Sequence, residues 1–184
     1  MTLSEIYQKG AEILESKKLG FNLRGVETEF VMRHNEEIFK RYKFLQQALN
    51  SIEATTRTRL LDVELQVPII MSSISAPIPQ IQPNGLLKVA KALKETGSMM
   101  WTGSPIPSNL EELVAVGVPL VQTIKPYTDR SKVIKMISQA EAAGVTWVGI
   151  EVDAGQGTKI LDKQMAKGCS PVSVAELKEI KQKI

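Results

Sequence analysis

The fold is decided by residues 98–153, which read SMMWTGSPIPSNLEELVAVGVPLVQTIKPYTDRSKVIKMISQAEAAGVTWVGIEVD. Three nearly continuous apolar runs, at 98–104, 120–124 and 146–153, are typical of strands that are covered on both faces. A fourth run of this kind precedes them at 67–75. Between the runs, apolar residues recur at intervals of three and four, as helices require: Leu86, Val89, Ala90 and Leu93, then Val133, Ile137 and Ala140.

This alternation predicts a parallel sheet with crossover helices. The strands begin about 20 to 30 residues apart, a spacing that (β/α)8 barrels and doubly wound sheets share. Spacing alone therefore leaves both architectures open. Helix boundaries are marked by Ser-x-x-Glu pairs with capping-box spacing and by glycines at helix ends: Ser108 with Glu111, Ser173 with Glu176, then Gly97, Gly117 and Gly144.

The N-terminal region has a different pattern. Residues 3–18 form a predicted amphipathic helix that Thr2 and Glu5 open, and residues 27–43 form a second helical segment. Charged residues interrupt the first of these throughout, so we expect it to be neither a signal peptide nor a membrane span.

Composition excludes several classes of function. The chain has 184 residues, 43% hydrophobic and 23% charged, with a net charge of +3 from interleaved acids and bases, so we expect no nucleic-acid partner. A single cysteine, Cys169, can form neither an intrachain disulfide nor a metal-binding thiol pair, and we expect no metal. These features predict a soluble, cytoplasmic protein.

Residues 25–153 resemble the first half of the FMN-dependent α-hydroxy acid oxidases and dehydrogenases, the family of glycolate oxidase and lactate oxidase. The order and spacing of several motifs carry the resemblance. They are Gly25-Val26-Glu27 with Phe39 and Lys40-Arg41, then 67–71 (VPIIM), 82–85 (QPNG), 108–112 (SNLEE), Gln122 with Asp129-Arg130, and 140–144 (AEAAG) leading to Val152-Asp153.

The resemblance implies an α/β protein of the (β/α)8 TIM-barrel type, with FMN as cofactor. We expect an N-terminal helical extension over residues 1–59 and the first four βα units of the barrel over residues 60–184. In the family, backbone at the end of the first barrel strand lies against the flavin ring, a glutamine of the third strand bonds the flavin, and an aspartate after the fourth strand orients the catalytic histidine. These roles map onto Ser72, Ser73 and Ile74, onto Gln122, and onto Asp153.

Other positions depart from the family. A serine that contacts flavin falls on Gly103, with Ser104 beside it, and a threonine that contacts flavin is replaced by Glu151. Two substrate-binding tyrosines fall on Phe21 and Ile124, so neither hydroxyl is present. These departures leave open a divergent substrate or lost activity.

The family's lysine, catalytic histidine, substrate-binding arginine and phosphate-binding element belong to a second half that this sequence does not contain. The single histidine, His34, lies in the N-terminal helical segment, where we expect it to be a solvated helix residue. Gly155-Gln156-Gly157 could approach a phosphate, although we expect an ordinary flexible loop. Four strands would leave two open edges, so we expect a truncated or split barrel that is closed by a homo-oligomer or by a complementary C-terminal half.

Three functions follow from these features. The leading hypothesis is an FMN-dependent oxidoreductase, or its N-terminal portion, that oxidises a small L-2-hydroxy acid by hydride transfer to flavin. A second is a catalytically incomplete half-barrel that assembles with another chain. A third is a flavin-dependent isopentenyl-diphosphate isomerase, which fits less well because its Arg-Lys-Asp-Glu-His segment is not seen.

Overall fold

The computed structural model describes residues 1–46, 48–50, 52–153 and 166–184. These residues form two compact units, one over Met1–Thr55 and one from Thr56 onward. None of the described helices is both long enough and apolar enough to cross a membrane.

The first unit contains α1 (Leu3–Ser16), a short 3₁₀ helix (Gly20–Leu23) and α2 (Phe30–Phe39). Thr2 opens α1 as the sequence predicts: its hydroxyl accepts from the Glu5 N–H at 3.2 Å, and the Glu5 carboxylate accepts from the Thr2 N–H at 2.8 Å. The second helix is shorter than predicted because Glu29 adopts a left-handed conformation, with a φ of 57°, and so ends the preceding turn.

The second unit begins with a hairpin and continues with helices alternating with parallel strands. Its elements are β1 (Thr58–Leu60), β2 (Val63–Leu65), α3 (Ile78–Ile81), α4 (Gly85–Glu95), β3 (Met100–Thr102), α5 (Leu110–Ala115), β4 (Leu120–Ile124), α6 (Arg130–Ala142), β5 (Trp147–Ile150) and α7 (Val174–Gln182).

Strands β3, β4 and β5 form a parallel sheet in which spatial order follows chain order. A doubly wound sheet reverses its strand order at the switch point, whereas a barrel adds each strand beside the last. The order therefore favours a barrel, which spacing could not do. The middle strand has its predicted bounds, and its neighbours are shorter than the predicted runs.

The prediction of a strand at 67–75 is wrong. This segment lies beside β3 without a regular ladder: the Gln66 N–H donates to the Gly97 carbonyl at 2.9 Å, and the Met71 N–H donates to the Met99 carbonyl at 3.1 Å. Pro68 has no N–H to donate between these two bonds, so continuous pairing is interrupted.

The β1–β2 hairpin was not foreseen. Its two turn residues, Leu61 and Asp62, both have positive φ, 49° and 62°, which is the geometry of a two-residue type I′ turn. Leu65, only 2% exposed, packs with Met99 and Val121. The hairpin thus covers the amino-terminal end of the sheet.

The two faces of the sheet have different partners. Met100 and Leu120 pack against the helices through Leu86, Leu113 and Ala140. Because side chains alternate along a strand, the intervening residues point to the opposite, inner face. The inner cluster accordingly contains Val121 with both tryptophans, Trp101 and Trp147.

Most helix boundaries match the sequence. Gly97, Gly117 and Gly144 have positive φ directly after α4, α5 and α6, and Ser173 with Glu176 forms a complete capping box. The capping box expected at Ser108 is wrong. A turn from the Leu110 N–H to the Pro107 carbonyl shifts the cap to Asn109, which makes no side-chain capping bond.

Candidate functional site

The candidate site is the carboxyl rim, defined here as residues 72–75, 103–105, 123–127 and 151–153. These residues end or follow the parallel strands, or run beside them. Carboxyl ends of parallel strands converge at one end of a barrel, where its loops form ligand sites.

Residues 72–75 rest directly on the backbone that follows β3. A β-carbon added at Gly103 would lie 3.1 Å from the Ser75 nitrogen and 3.2 Å from both the Ile74 α-carbon and the Ser73 carbonyl oxygen. Ser72, Ser73 and Ile74 are exposed, whereas Ser75 is buried. The absence of a side chain at Gly103 therefore allows this segment to present its backbone along the rim.

A polar network on the inner face holds the same segment from below. The Trp101 indole N–H donates to the Thr123 hydroxyl at 2.8 Å, and that hydroxyl shares a 2.7 Å hydrogen bond with the Ser73 hydroxyl. Thr123 is buried and lies in the middle strand, so it links β3, β4 and residues 72–75. Sequence reasoning missed Thr123.

Gln122 lies on the opposite, helix-facing side of β4. It is fully buried; its side-chain oxygen accepts from the Thr102 hydroxyl at 2.8 Å, and its side-chain nitrogen donates to the Gly103 carbonyl at 2.9 Å and to the Thr123 carbonyl at 2.7 Å. These bonds tie β3 to β4 and occupy the amide. Its contact with flavin stays a prediction.

Ile124 is also on the helix-facing side. It is fully buried and packs with Val133, Ile137 and Ile180 of the flanking helices. A substrate contact at Ile124 stays a prediction, but the structure brings its side chain into the core that lies between the sheet and α6 and α7.

A charged pair lies at the rim. The Lys125 ammonium is 2.7 Å from a carboxylate oxygen of Glu151, with the two side chains 12% and 28% exposed. The strand register explains the pair, because Ile124 lies opposite Ile150 and the next residues of β4 and β5 are therefore neighbours. Sequence reasoning missed Lys125, because its pairing with Glu151 depends on the register of the two strands.

Ser104 contributes a buried hydroxyl that, within the described part of the chain, has no hydrogen-bond partner. Ser104 lines a cleft of about 150 Å³ together with Pro105, Lys125 and Tyr127. A buried hydroxyl without a partner is energetically unfavourable, which makes it a natural contact for a ligand.

Asp129 and Arg130 fix the loop that follows β4. The Asp129 carboxylate caps α6 by accepting from the Ser131 hydroxyl at 2.6 Å and from the Ser131 N–H at 3.0 Å, and these two bonds lower the pKa of Asp129. The Arg130 guanidinium donates to several backbone carbonyls of the loop and of the segment before α7. Its partners are Pro126 at 3.0 Å, Tyr127 at 2.7 Å, Ser170 at 3.4 Å and Pro171 at 2.8 Å, together with the Glu176 carboxylate at 3.0 Å.

Cys169 lies in the segment that Arg130 holds, and it forms an isolated antiparallel bridge with Tyr127. Burial raises the pKa of the Cys169 thiol, so the thiol is uncharged at neutral pH. Among the described residues, no group of three or more metal-binding side chains comes together.

The remaining predicted residues belong to different segments of the chain. Asp153 follows β5 at the rim and is exposed. Phe21 lies in the 3₁₀ helix of the first unit. His34 lies in α2 of the same unit, where its ring stacks on Phe30 with the ring centroids 5.4 Å apart. Gly155-Gln156-Gly157 lies outside the described residues.

Comparisons with known proteins agree with this architecture. The family model described as FMN-dependent dehydrogenase matches residues 11–179. Glycolate oxidase 3 of Oryza sativa subsp. indica is 27% identical over 154 residues, which cover 82% of this chain and 41% of the relative. Glycolate oxidase of Spinacia oleracea is 27% identical over 134 residues, covering 70% of this chain and 35% of the relative. The chain thus spans about two fifths of the length of the curated relatives that it matches.

Solved structures confirm the fold. A mandelate oxidase structure with 3,3-difluoro-2-hydroxy-3-phenylpropionic acid superposes with a TM-score of 0.78 at 19% identity, covering 98% of this chain and 58% of the other. The putative lactate oxidase of Pediococcus acidilactici gives 0.75 at 22% identity, covering 99% and 51%. The fold is therefore a partial TIM barrel, as the resemblance predicted. With a family match over most of its length, this chain belongs to the FMN-dependent dehydrogenase family.

Proposed function

We propose that this chain forms one wall of the flavin pocket in an enzyme that oxidises a small L-2-hydroxy acid by transferring hydride to FMN. One observation carries the proposal: the exposed residues 72–74 lie at the carboxyl rim of a parallel sheet, with the backbone of Ser73 and Ile74 packed over Gly103. Glycolate, lactate and mandelate oxidases share the fold or sequence of this chain, which supports a hydroxy-acid substrate.

The rim residues fit a flavin ring in two respects. Residues 72–74 form an exposed segment beside the sheet, and Ser104 offers a hydroxyl that has no partner among the described residues. When bound, FMN supplies a two-electron acceptor that side chains cannot provide. With FMN bound, a 2-hydroxy acid held at the rim would give up its C2 hydrogen as hydride to that acceptor and its hydroxyl proton to a base, leaving a 2-oxo acid.

The part of this chain in that reaction is positioning. Thr123, held by Trp101 and Ser73, places a hydroxyl at the end of the middle strand on the inner face, so we assign to Thr123 the strand-end polar contact that sequence reasoning assigned to Gln122. Asp153 is the proposed orienting carboxylate for a histidine base supplied by residues beyond this chain, since a carboxylate beside an imidazole fixes its tautomer.

The closing wall would come from a complementary half-barrel or from a second copy. Within the described residues, β5 pairs with β4 alone, so its other edge has backbone groups available for a further strand. A parallel strand added there would continue the barrel beyond β5.

The flavin proposal is tested by titrating the purified chain with FMN and following quenching of flavin fluorescence. Gly103→Ala should weaken FMN binding several-fold, because its β-carbon would displace residues 73–75 by a few tenths of an ångström. The matched control is Gly10→Ala, where no atom lies within 4 Å of the added carbon. Equal affinities in wild type and both variants would contradict the proposal.

Activity is tested by complementation. The chain is mixed with the part of a glycolate oxidase that lies beyond the matched region, and FMN and glycolate are added without oxygen. Bleaching of the flavin that needs both polypeptides supports the proposal. Flavin binding without bleaching by any hydroxy acid supports the non-catalytic half-barrel instead, and turnover of allylic diphosphates alone supports the isomerase.

A further inference from the structure

We propose that Lys125 binds the carboxylate of a small acid substrate in the cleft beside Ser104, and that Glu151 holds the ammonium in place and competes with the substrate for it. This inference deepens the proposed function, on which it rests. It assigns acid recognition to a residue of this chain.

Lys125 is a partly buried residue in the wall of the cleft. It follows the buried strand β4 directly, its side chain is 12% exposed, and it lines the 150 Å³ cleft with Ser104, Pro105 and Tyr127. A cleft of this size suits a ligand of a few heavy atoms, such as a two- or three-carbon acid. An ammonium at such a wall is a specific contact for an anion, because the partly buried position screens its charge less than open solvent would.

The cleft has hydrogen-bond donors that are available to a ligand. An ammonium has three donors, and the 2.7 Å contact with Glu151 accounts for one of them. Ser104 adds a buried hydroxyl without a partner among the described residues. A carboxylate has two oxygens with several acceptor sites, so it can accept from the ammonium and from the Ser104 hydroxyl at once.

Other charged groups near the cleft are committed elsewhere. Arg130 donates to backbone carbonyls and to Glu176, and the Lys132 ammonium lies 3.5 Å from the centre of the Tyr127 ring. The thiol of Cys169 is uncharged and adds no competing anion. Among the residues that the structure describes, Lys125 is therefore the cation of this cleft, and Glu151 is the anion that restrains it.

Competition between Glu151 and the substrate for the ammonium predicts that loss of either charge changes glycolate affinity in opposite directions. Glu151→Gln keeps the shape of the side chain but removes its charge, so an incoming carboxylate would no longer compete for the ammonium. Glycolate affinity should rise about three- to tenfold in this variant, and Lys125→Met should lower it about tenfold or more, the range expected when a charge-assisted hydrogen bond is gained or lost. A purely structural ion pair predicts that both variants weaken binding alike.

The experiment titrates the ¹⁵N-labelled full chain with sodium glycolate and follows the amide resonances of Ser104, Lys125 and Tyr127. Glycolamide, which has the same size without the charge, should cause no saturable shift. Lys135→Met removes a charge from the exposed face of α6 and should leave glycolate binding unchanged. Should Lys125→Met fail to give a folded spectrum, Lys125→Gln carries the same expectation.

Wild-type binding by Lys125→Met, or weaker binding by Glu151→Gln, would overturn the inference. The same samples are titrated with FMN, which separates the two proposals. FMN binding without glycolate shifts at the cleft overturns the inference and leaves the proposed function standing. Glycolate binding without FMN binding contradicts the proposed function and leaves the carboxylate cleft standing.

Discussion

Replacing Arg130 by methionine should destabilise the second unit more than removing any one charged side chain of the carboxyl rim. The guanidinium donates to four backbone carbonyls and one carboxylate, so its removal leaves Pro126, Tyr127, Ser170 and Pro171 without these donors. Methionine keeps most of the apolar stem, so the comparison isolates the polar head.

The magnitude follows from the geometry. Hydrogen bonds from a charged group contribute roughly 1.5–3 kcal/mol each when buried, and less where water replaces them. The Arg130 side chain is 21% exposed, and its ion pair with Glu176, which is 38% exposed, adds little because water screens it. Allowing for water at the freed carbonyls and for non-additivity, we expect a loss of about 3 kcal/mol in the free energy of unfolding. Arg130→Lys should lose about half of this, because a single ammonium cannot reproduce the planar fork.

Urea unfolding followed by tryptophan fluorescence measures this loss in the second unit, since both tryptophans of the chain, Trp101 and Trp147, lie in its sheet. Hydrogen exchange localises it: the amides of Thr128 and Ser170, which bond across the two segments that Arg130 joins, should lose protection first.

The matched control is Arg59→Met. Arg59 makes a single ion pair with Asp62 at 3.2 Å, and both side chains are well exposed. We expect a change within about 0.5 kcal/mol. If Arg130→Met is no more destabilising than this control, the network does not hold the rim and the reasoning is refuted.

Three further predictions concern single groups. Hydrogen bonds from Ser173, then from Arg130, lower the pKa of Glu176 from 4.5 to about 2, so the stabilising contribution of its carboxylate is complete above about pH 4.5 and is lost as the pH falls to 2. In urea titrations at stepped pH, the difference in the free energy of unfolding between wild type and Glu176→Gln should shrink over that range. A constant difference would argue against this contribution. Gln122→Met should lower the free energy of unfolding by about 1–3 kcal/mol, because it leaves the buried partners of the amide without their hydrogen bonds. The FMN affinity of the folded protein should change little, whereas intact stability with weakened FMN binding would instead support a direct flavin contact. Trp101→Phe removes the donor to Thr123 and replaces the indole by a smaller aromatic ring. It should lower the free energy of unfolding by at least about 1 kcal/mol, measured with the remaining Trp147, whereas no loss would mean that this bond is not stabilising.

Sequence pattern was enough to predict the parallel sheet and most of its helices. The run at 120–124 is buried on both faces, because helices cover one face and the tryptophan cluster covers the other. This double burial produces the nearly continuous apolar pattern. The same double burial hid the orientation of the strand. A strand that is covered on both faces shows no alternation, so nothing indicated that Thr123, and not Gln122, faces inward.

Two other features lay beyond local reasoning for different causes. The hairpin turn at Leu61-Asp62 lacks the glycine or asparagine that normally marks positive φ, so its propensities gave no signal. The pairing of Lys125 with Glu151 depends on strand register across 26 residues, which is a tertiary property. Asp129 and Arg130, by contrast, belong to a motif that the family resemblance already contained, and the structure shows that one caps α6 and the other holds the loop after β4.

The most direct test of the central claim is to map FMN-induced changes in amide chemical shift over the whole chain. If the carboxyl rim is one wall of the flavin pocket, the largest shifts should fall on residues 72–74, Gly103, Ser104 and Thr123. Shifts concentrated at the opposite end of the sheet, around Gly117 and Gly144, or no saturable shifts at all, would contradict the account.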